Sequence, residues 1–190
     1  MMKISAIISI IKKNKSIHTV YDNGKQWISA GDTAYNISAL PELNGEQLLV
    51  MLGIPEKKKE DYMVIENSPA LESIIDKSKH TEHQINRGMI DIAVLGTVYE
   101  PVIVDNRVYF IDRAYYKPFD GTEWDLAAWK DKQTGEILFA AKAGFFPMAY
   151  IKPTNVSKDY VSLDLGLITE TLKREKELND YPEEYDDDEE

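Results

Sequence analysis

Residues 4–37 read ISAIISIIKKNKSIHTVYDNGKQWISAGDTAYNI. Ile4, Ile7, Ile8 and Ile11 recur at i, i+3, i+4 and i+7, the spacing of one buried helical face. The apolar run is short, is closed by Lys12, Lys13 and Lys15, and has no small-residue cleavage site. It therefore reads as a core helix rather than a secretory signal, and the expected compartment is the cytoplasm. Residues 16–21 and 25–30 then flank Asp22-Asn23-Gly24. Asn-Gly is the favoured pair where both central turn residues need positive φ, so a tight hairpin is expected. Gly31-Asp32 turns the chain again, and 33–37 continue as a third strand.

Residues 112–151 read DRAYYKPFDGTEWDLAAWKDKQTGEILFAAKAGFFPMAYI and repeat that order of elements. Asp112 can cap a short helical turn over 113–116, ended by Lys117-Pro118. Strands are expected at 124–130, 136–142 and 145–151, separated by Thr134-Gly135 and Ala143-Gly144. Pro147 inside the last strand predicts an edge position or a bulge. The repetition is one of architecture, not of residues. No alternation of strand and helix calls for a parallel sheet. The expected fold class is therefore α+β, an antiparallel sheet built from two helix–β-meander units with helices on one face.

Between the two units, Asn44 followed by Gln47 has the spacing of a capping box, and Leu48, Leu49, Met51 and Leu52 give the helix its apolar face. Gly53 and Pro55 stop it. Lys57, Lys58 and Lys59 read as a solvated loop, and 62–65 as a short strand. Ser68-Pro69 opens a helix expected to run to about residue 78. Residues 77–88 are polar and read as a flexible connection. Strands are expected at 90–95, 98–104 and 107–111, with Asp105-Asn106 as a turn. Residues 157–172 fit strand or helix. Helix is preferred because Val161, Leu165, Ile168 and Leu172 share a helical face, although Gly166 weakens it.

The chain has 190 residues, 22 bases against 33 acids and a net charge of −11. Nine of the acids fall in residues 177–190, where no base occurs; the rest of the chain holds 24 acids and 22 bases. Residues 1–172 are expected to form a single α+β domain, with 66–88 as the candidate internal boundary. Residues 173–190 are an acidic tail, expected to be disordered because like charges repel and apolar surface is scarce. There is no cysteine, which excludes disulfides, thiol nucleophiles and thiolate metal sites. No run approaches the length of a membrane span, so no membrane role is expected.

His80 and His83, with Glu82 between them, would share one face if helical and so form the best metal candidate. Without a second ligand pair they read as surface residues, and no metal is expected. No glycine-rich phosphate loop or nucleophile elbow occurs, so no cofactor and no catalytic residue is assigned and a non-enzymatic protein is expected. His18 reads as a structural histidine on a strand. Tyr115, Tyr116, Trp124 and Trp129 crowd a short stretch, with Phe139, Phe145, Phe146 and Tyr150 close behind. Two readings stand: the core of the meander, or exposed aromatic anchors for a protein partner. The bases Lys12, Lys13 and Lys15, with Arg113 and Lys117, belong to the two helical segments. They are either ordinary surface charge or a set that meets phosphates together.

The two stretches, one at 17–37 and one from Val108 to Pro153 through Ile111-Asp112-Arg113-Ala114-Tyr115-Tyr116, resemble the domain of DNA-polymerase sliding clamps. The resemblance implies helices that carry bases toward duplex DNA, a role that falls by position to Lys12, Lys13, Arg113 and Lys117. Residues 41–88 stand as an insertion in that pattern, and one such domain per chain would need several copies to close a ring. The lysine- and isoleucine-rich body with an acidic end also resembles accessory proteins of phages and prophages. The functional expectation is a non-enzymatic, sliding-clamp-like accessory protein of phage or mobile-element DNA metabolism. It would act through a protein partner or weak contact with duplex DNA. The alternative is an interaction module or inhibitor of a host protein, using an aromatic surface or the acidic tail.

Overall fold

A computed structural model describes residues 2–88, 90–154 and Arg174. The helix expected at 157–172 and the acidic tail at 173–190 lie outside the described residues, Arg174 apart. What is described is a mixed α+β protein with one large sheet and several helices. None of those helices is long and apolar enough to cross a membrane.

The first helix, α1, spans Ile4–Asn14 and buries Ile7, Ile10 and Ile11, while Ile4 and Ile8 are partly covered. Lys15 ends it in the left-handed conformation, and its N–H donates to the Ile11 carbonyl. Strands β1 (Ser16–Asp22), β2 (Lys25–Ala30) and β3 (Thr33–Asn36) follow as consecutive antiparallel partners. The turn between β1 and β2 has φ of 49° at Asn23 and 74° at Gly24, as the Asn-Gly pair requires.

Helix α2 (Gly45–Met51) opens on the expected capping box, with Asn44 and Gln47 bonding each other's backbone N–H groups. A 3-10 segment, Glu56–Asp61, leads into β4 (Met63–Ile65). Strand β4 pairs with β1 in parallel, a departure from the all-antiparallel expectation. Helix α3 (Pro69–Ile75) is capped by Ser68, whose hydroxyl accepts from the Leu71 N–H. It stops at Ile75, before residue 78, and a 3-10 turn, Lys77–Lys79, follows.

The polar stretch read as a flexible connection contains β5 (His80–His83) and β6 (Asn86–Arg87). Strand β5 extends the edge of the large sheet by pairing with the later strand β10 (Asp125–Asp131). Then come β7 (Ile92–Val94), β8 (Thr97–Val104), β9 (Arg107–Asp112), a 3-10 segment (Arg113–Phe119), β10, β11 (Ile137–Ala143) and β12 (Phe146–Ile151). The expected helical turn at 113–116 thus runs on as 3-10 through Pro118, with Asp112 accepting from the Ala114 N–H.

Among the described residues the large sheet has the order β4-β1-β2-β3-β12-β11-β10-β5. The β3–β12 pairing, Tyr35 opposite Ala149 and Thr33 opposite Ile151, joins the early and late strands into one surface. A second sheet is built on β8, which pairs with β9 and, along its length, with β6 and β7. Pro147 sits beside a register shift between β11 and β12, the bulge that its missing N–H predicts.

Successive residues of β2 divide the core. Ile28 packs with α1, α2 and part of the second sheet on one face, while Trp27 packs with α3 on the other. Helices on one face is therefore corrected to helices on both. The physical reason is that both faces of β2 and β12 are apolar, so each must be covered.

Candidate functional site

The five bases singled out in the sequence do not form one group. Lys12, Lys13 and Lys15 lie exposed at the C-terminal end of α1. Lys117 is exposed beside Pro118, whose carbonyl accepts from the Lys3 N–H at the opposite end of α1. An eleven-residue helix spans roughly 16 Å, which separates the two. Arg113 is engaged elsewhere: its guanidinium bridges Asp91 at 3.3 Å and Glu100 at 3.1 Å. The 3-10 segment that carries Lys57 and Lys58 ends beside Lys15. The Met63 N–H bonds the Lys15 carbonyl, and Lys15 Nζ lies 3.9 Å from Asp61, at the end of the 3-10 segment that carries Lys57 and Lys58. The run Lys57-Lys58-Lys59 was visible in the sequence, but its neighbour was not. Lys59 is occupied by Glu46 and Glu56.

Glu100 is the most deeply placed charge of the described residues, at 2% exposure. It stands on β8 opposite Ile111 of β9 and receives Arg87 from the neighbouring β6. Arg87 Nε donates to Oε1 at 2.6 Å and Nη2 to Oε2 at 3.1 Å, a two-pronged pair that matches the planar fork to the carboxylate. Burial opposes the Arg87 cation, yet the bonds and charge of Glu100 outweigh it and raise its pKa. The same guanidinium lies over the rings of Tyr116 and Trp124, at 5.6 and 5.1 Å from their centroids. The charges of this cluster are paired, while the buried Tyr116 hydroxyl has no hydrogen-bond partner among the described residues.

The aromatic candidates divide by burial. Tyr115, Tyr116 and Trp129 are buried, which corrects their reading as exposed partner anchors to that of core. Tyr116 packs on Trp124 at 4.9 Å between centroids, and Trp124, half-buried, also meets Phe119. Trp129 joins Tyr150 and Trp27 in a ladder on the α3 face of the sheet. The physical reason is strand alternation: Trp129 and Ala127 face α3 while Ala128 faces α1, so an inner strand leaves neither side to solvent.

The most exposed aromatics among the described residues are Phe145 and Phe146, at 94% and 68% exposure, followed by Tyr21. They occupy the turn from β11 into β12, after Gly144 in the left-handed conformation. Lys25 lies over the Phe146 ring at 5.7 Å, so the β1–β2 turn stands beside this tip. On the other side a notch of about 510 Å³ is lined by Thr122, Glu123, Trp124, Asp125 and Gly144. A signal for the tip existed in the sequence. A turn signal, Ala143-Gly144, places two adjacent aromatics at the end of a hairpin, where the fold has no layer to cover both.

His80 and His83 fall on a strand, where positions three apart point to opposite faces. His80 is buried beside Trp129 with Nδ1 against the Asp76 carbonyl oxygen, whereas His83 Nδ1 is 3.1 Å from Asp105. The two rings are not brought together as a ligand pair. His18 lies on β1 with Nδ1 2.9 Å from the Ser68 hydroxyl, so it ties β1 to the cap of α3. A groove of about 830 Å³ runs beside α3, with Trp27 and Tyr150 in its floor and Asp22, Lys25, Glu72 and Lys79 on its rim. The Tyr150 hydroxyl is buried without a hydrogen-bond partner among the described residues, and burial pushes its pKa up.

Comparison with protein-family models, with curated proteins and with solved structures found no match to this chain.

Proposed function

We propose that the protein is a binding module that acts by docking onto a protein partner through the β11–β12 tip. The observation that carries this reading is the exposure of two adjacent phenylalanines where β11 turns into β12, Phe145 almost completely and Phe146 by about two thirds. Exposed aromatic pairs cost solubility, and at interfaces such side chains supply much of the binding energy. The partner would be a protein of the cell in which the chain works. The test is quantitative affinity purification of the full chain and of Phe145→Ser/Phe146→Ser. Loss of one or more specific partners from the variant supports the reading, and an unchanged set of bound proteins overturns it.

A second reading has its own support. Lys12, Lys13 and Lys15 are exposed at the end of α1, the segment that carries Lys57 and Lys58 ends beside Lys15, and α1 packs beside the 113–119 segment through the Lys3–Pro118 bond. On the resemblance to sliding clamps, this end would touch the phosphates of duplex DNA, in the DNA metabolism of a phage or mobile element. Arg113 would take no part, because Asp91 and Glu100 neutralise it. Light scattering tests the ring: a closed oligomer supports it and a monomer removes it.

A further inference from the structure

The β11–β12 tip carries more information than its two phenyl rings. Glu123 and Asp125 are exposed and line the notch that reaches Gly144, immediately beside Phe145. Neither forms a salt bridge among the described residues. The bases near the tip are differently placed. Lys142, opposite Asp125 in the β10–β11 ladder, is held by Glu82 at 2.6 Å. Lys25 covers the far side of the Phe146 ring. The apolar knob is thus bordered on its β10 side by two exposed carboxylates outside any salt bridge among the described residues, Asp125 lying within the field of Arg87.

Building on the protein-binding reading above, we propose that this tip inserts into an apolar socket of a folded protein partner, rimmed by lysine or arginine where it meets Glu123 and Asp125. A turn is convex and suits a concave receptor, whereas a flat apolar face would leave one phenyl ring in water. The two carboxylates give the complex its orientation and its partner choice, since opposite charges across an interface steer encounter and like charges are rejected. They also oppose insertion of the tip into an anionic lipid surface, where the headgroups carry the same sign.

The test replaces Phe145 in the full chain with the photoreactive aromatic benzoylphenylalanine, irradiates it in cells that carry the protein, and maps the attached peptide by mass spectrometry. Glu123→Lys/Asp125→Lys and Phe146→Ser are made in the same background, with thermal unfolding to show that each folds. Vesicles of phosphatidylcholine with phosphatidylserine are sedimented with the same proteins. The expected result has two parts. The adduct maps to an apolar surface flanked by lysine or arginine, and the charge reversal lowers its yield by about tenfold, a loss of about 1.4 kcal/mol. An adduct that needs Phe146 but ignores the charge reversal, or maps to an acidic surface, overturns the socket and leaves protein binding standing. An adduct that survives Phe146→Ser, no adduct at all, or Phe146-dependent sedimentation with vesicles alone overturns both.

Discussion

Arg87 holds Glu100 by two bonds, 2.6 Å at Nε and 3.1 Å at Nη2, across the pairing of β6 with β8. Glu100 is buried while the guanidinium keeps about a third of its surface in water. The carboxylate is therefore the member whose removal leaves charge unbalanced, since Arg87 and Arg113 both converge on it. Glu100→Ala should cost about 2–4 kcal/mol, at the lower part of the range for broken buried pairs because the arginines reach solvent. Arg113→Ala should cost about 1 kcal/mol or less, because it is more exposed and Arg87 remains to hold the carboxylate. Urea unfolding of both variants measures the difference, and equal losses would contradict the asymmetry.

Burial separates aromatic residues that look alike in the sequence. Trp129→Ala should lose about 3–5 kcal/mol, because it removes the end of the Trp27–Tyr150–Trp129 ladder from the core. Phe145→Ser should change stability by no more than about 0.5 kcal/mol, since the ring has almost nothing to lose. Thermal or chemical unfolding of the two single variants checks both values.

Gly31 tests backbone and packing together. Its φ is +65°, and an added Cβ would stand 2.7 Å from Nδ2 of Asn14, which caps the approach of the β2–β3 turn to α1. Gly31→Ala should destabilise by about 1–2 kcal/mol. In an Asn14→Ala background the clash is gone but the left-handed backbone stays, so the cost of the same substitution should shrink without vanishing. A double-mutant cycle by urea unfolding reads the two parts.

Tyr35, Tyr115, Tyr116 and Tyr150 share a pH consequence. Burial is the main cause that raises the pKa of each phenol in the folded protein. A raised folded pKa means that the unfolded chain loses protons first, near the ordinary phenol value of about 10. The stabilisation is complete below that pH and is lost as pH rises above it, toward the folded values. Unfolding midpoints should fall steeply between about pH 10 and 11, and the ultraviolet tyrosinate signal of these residues should appear only with unfolding. Tyrosinate absorbance that rises in full before the loss of fold would contradict the burial.

The lysine end makes a separate prediction about phosphate contact. Lys57→Glu/Lys58→Glu should weaken binding to duplex DNA and flatten its salt dependence, whereas Lys117→Glu should leave both unchanged. Each phosphate contact removed lowers the slope of log affinity against log salt by about 0.9. Fluorescence anisotropy over a salt series measures this. Full-length protein with no salt-dependent signal would end the DNA reading.

Much of the local structure was legible because its causes lie within a few residues. The α1 stripe of isoleucines, the Asn23-Gly24 turn, the capping box of Asn44 with Gln47 and the Ser68-Pro69 start each need only neighbours along the chain. The candidate sites were less legible. Tyr115 and Trp129 could have been surface or core by composition, and Arg113 looked free until β8 brought Glu100 to it. Lys57 and Lys58 looked like loop charge until the 3-10 segment ended beside Lys15.

By itself the sequence determined the short-range elements, since helix stripes, caps and tight turns are set by φ, ψ and side-chain bonds over one or two turns of chain. The tertiary structure decided the rest. His80–His83 has no apolar alternation of its own and becomes a strand because the edge of β10 offers unpaired backbone groups. Strand β4 runs parallel to β1 because the chain returns past α2 before pairing. Two apolar sheet faces put α1 and α3 on opposite sides. Which aromatics are core and which stand at the tip follows from how many layers cover each position, and layer cover comes only from residues distant in the chain.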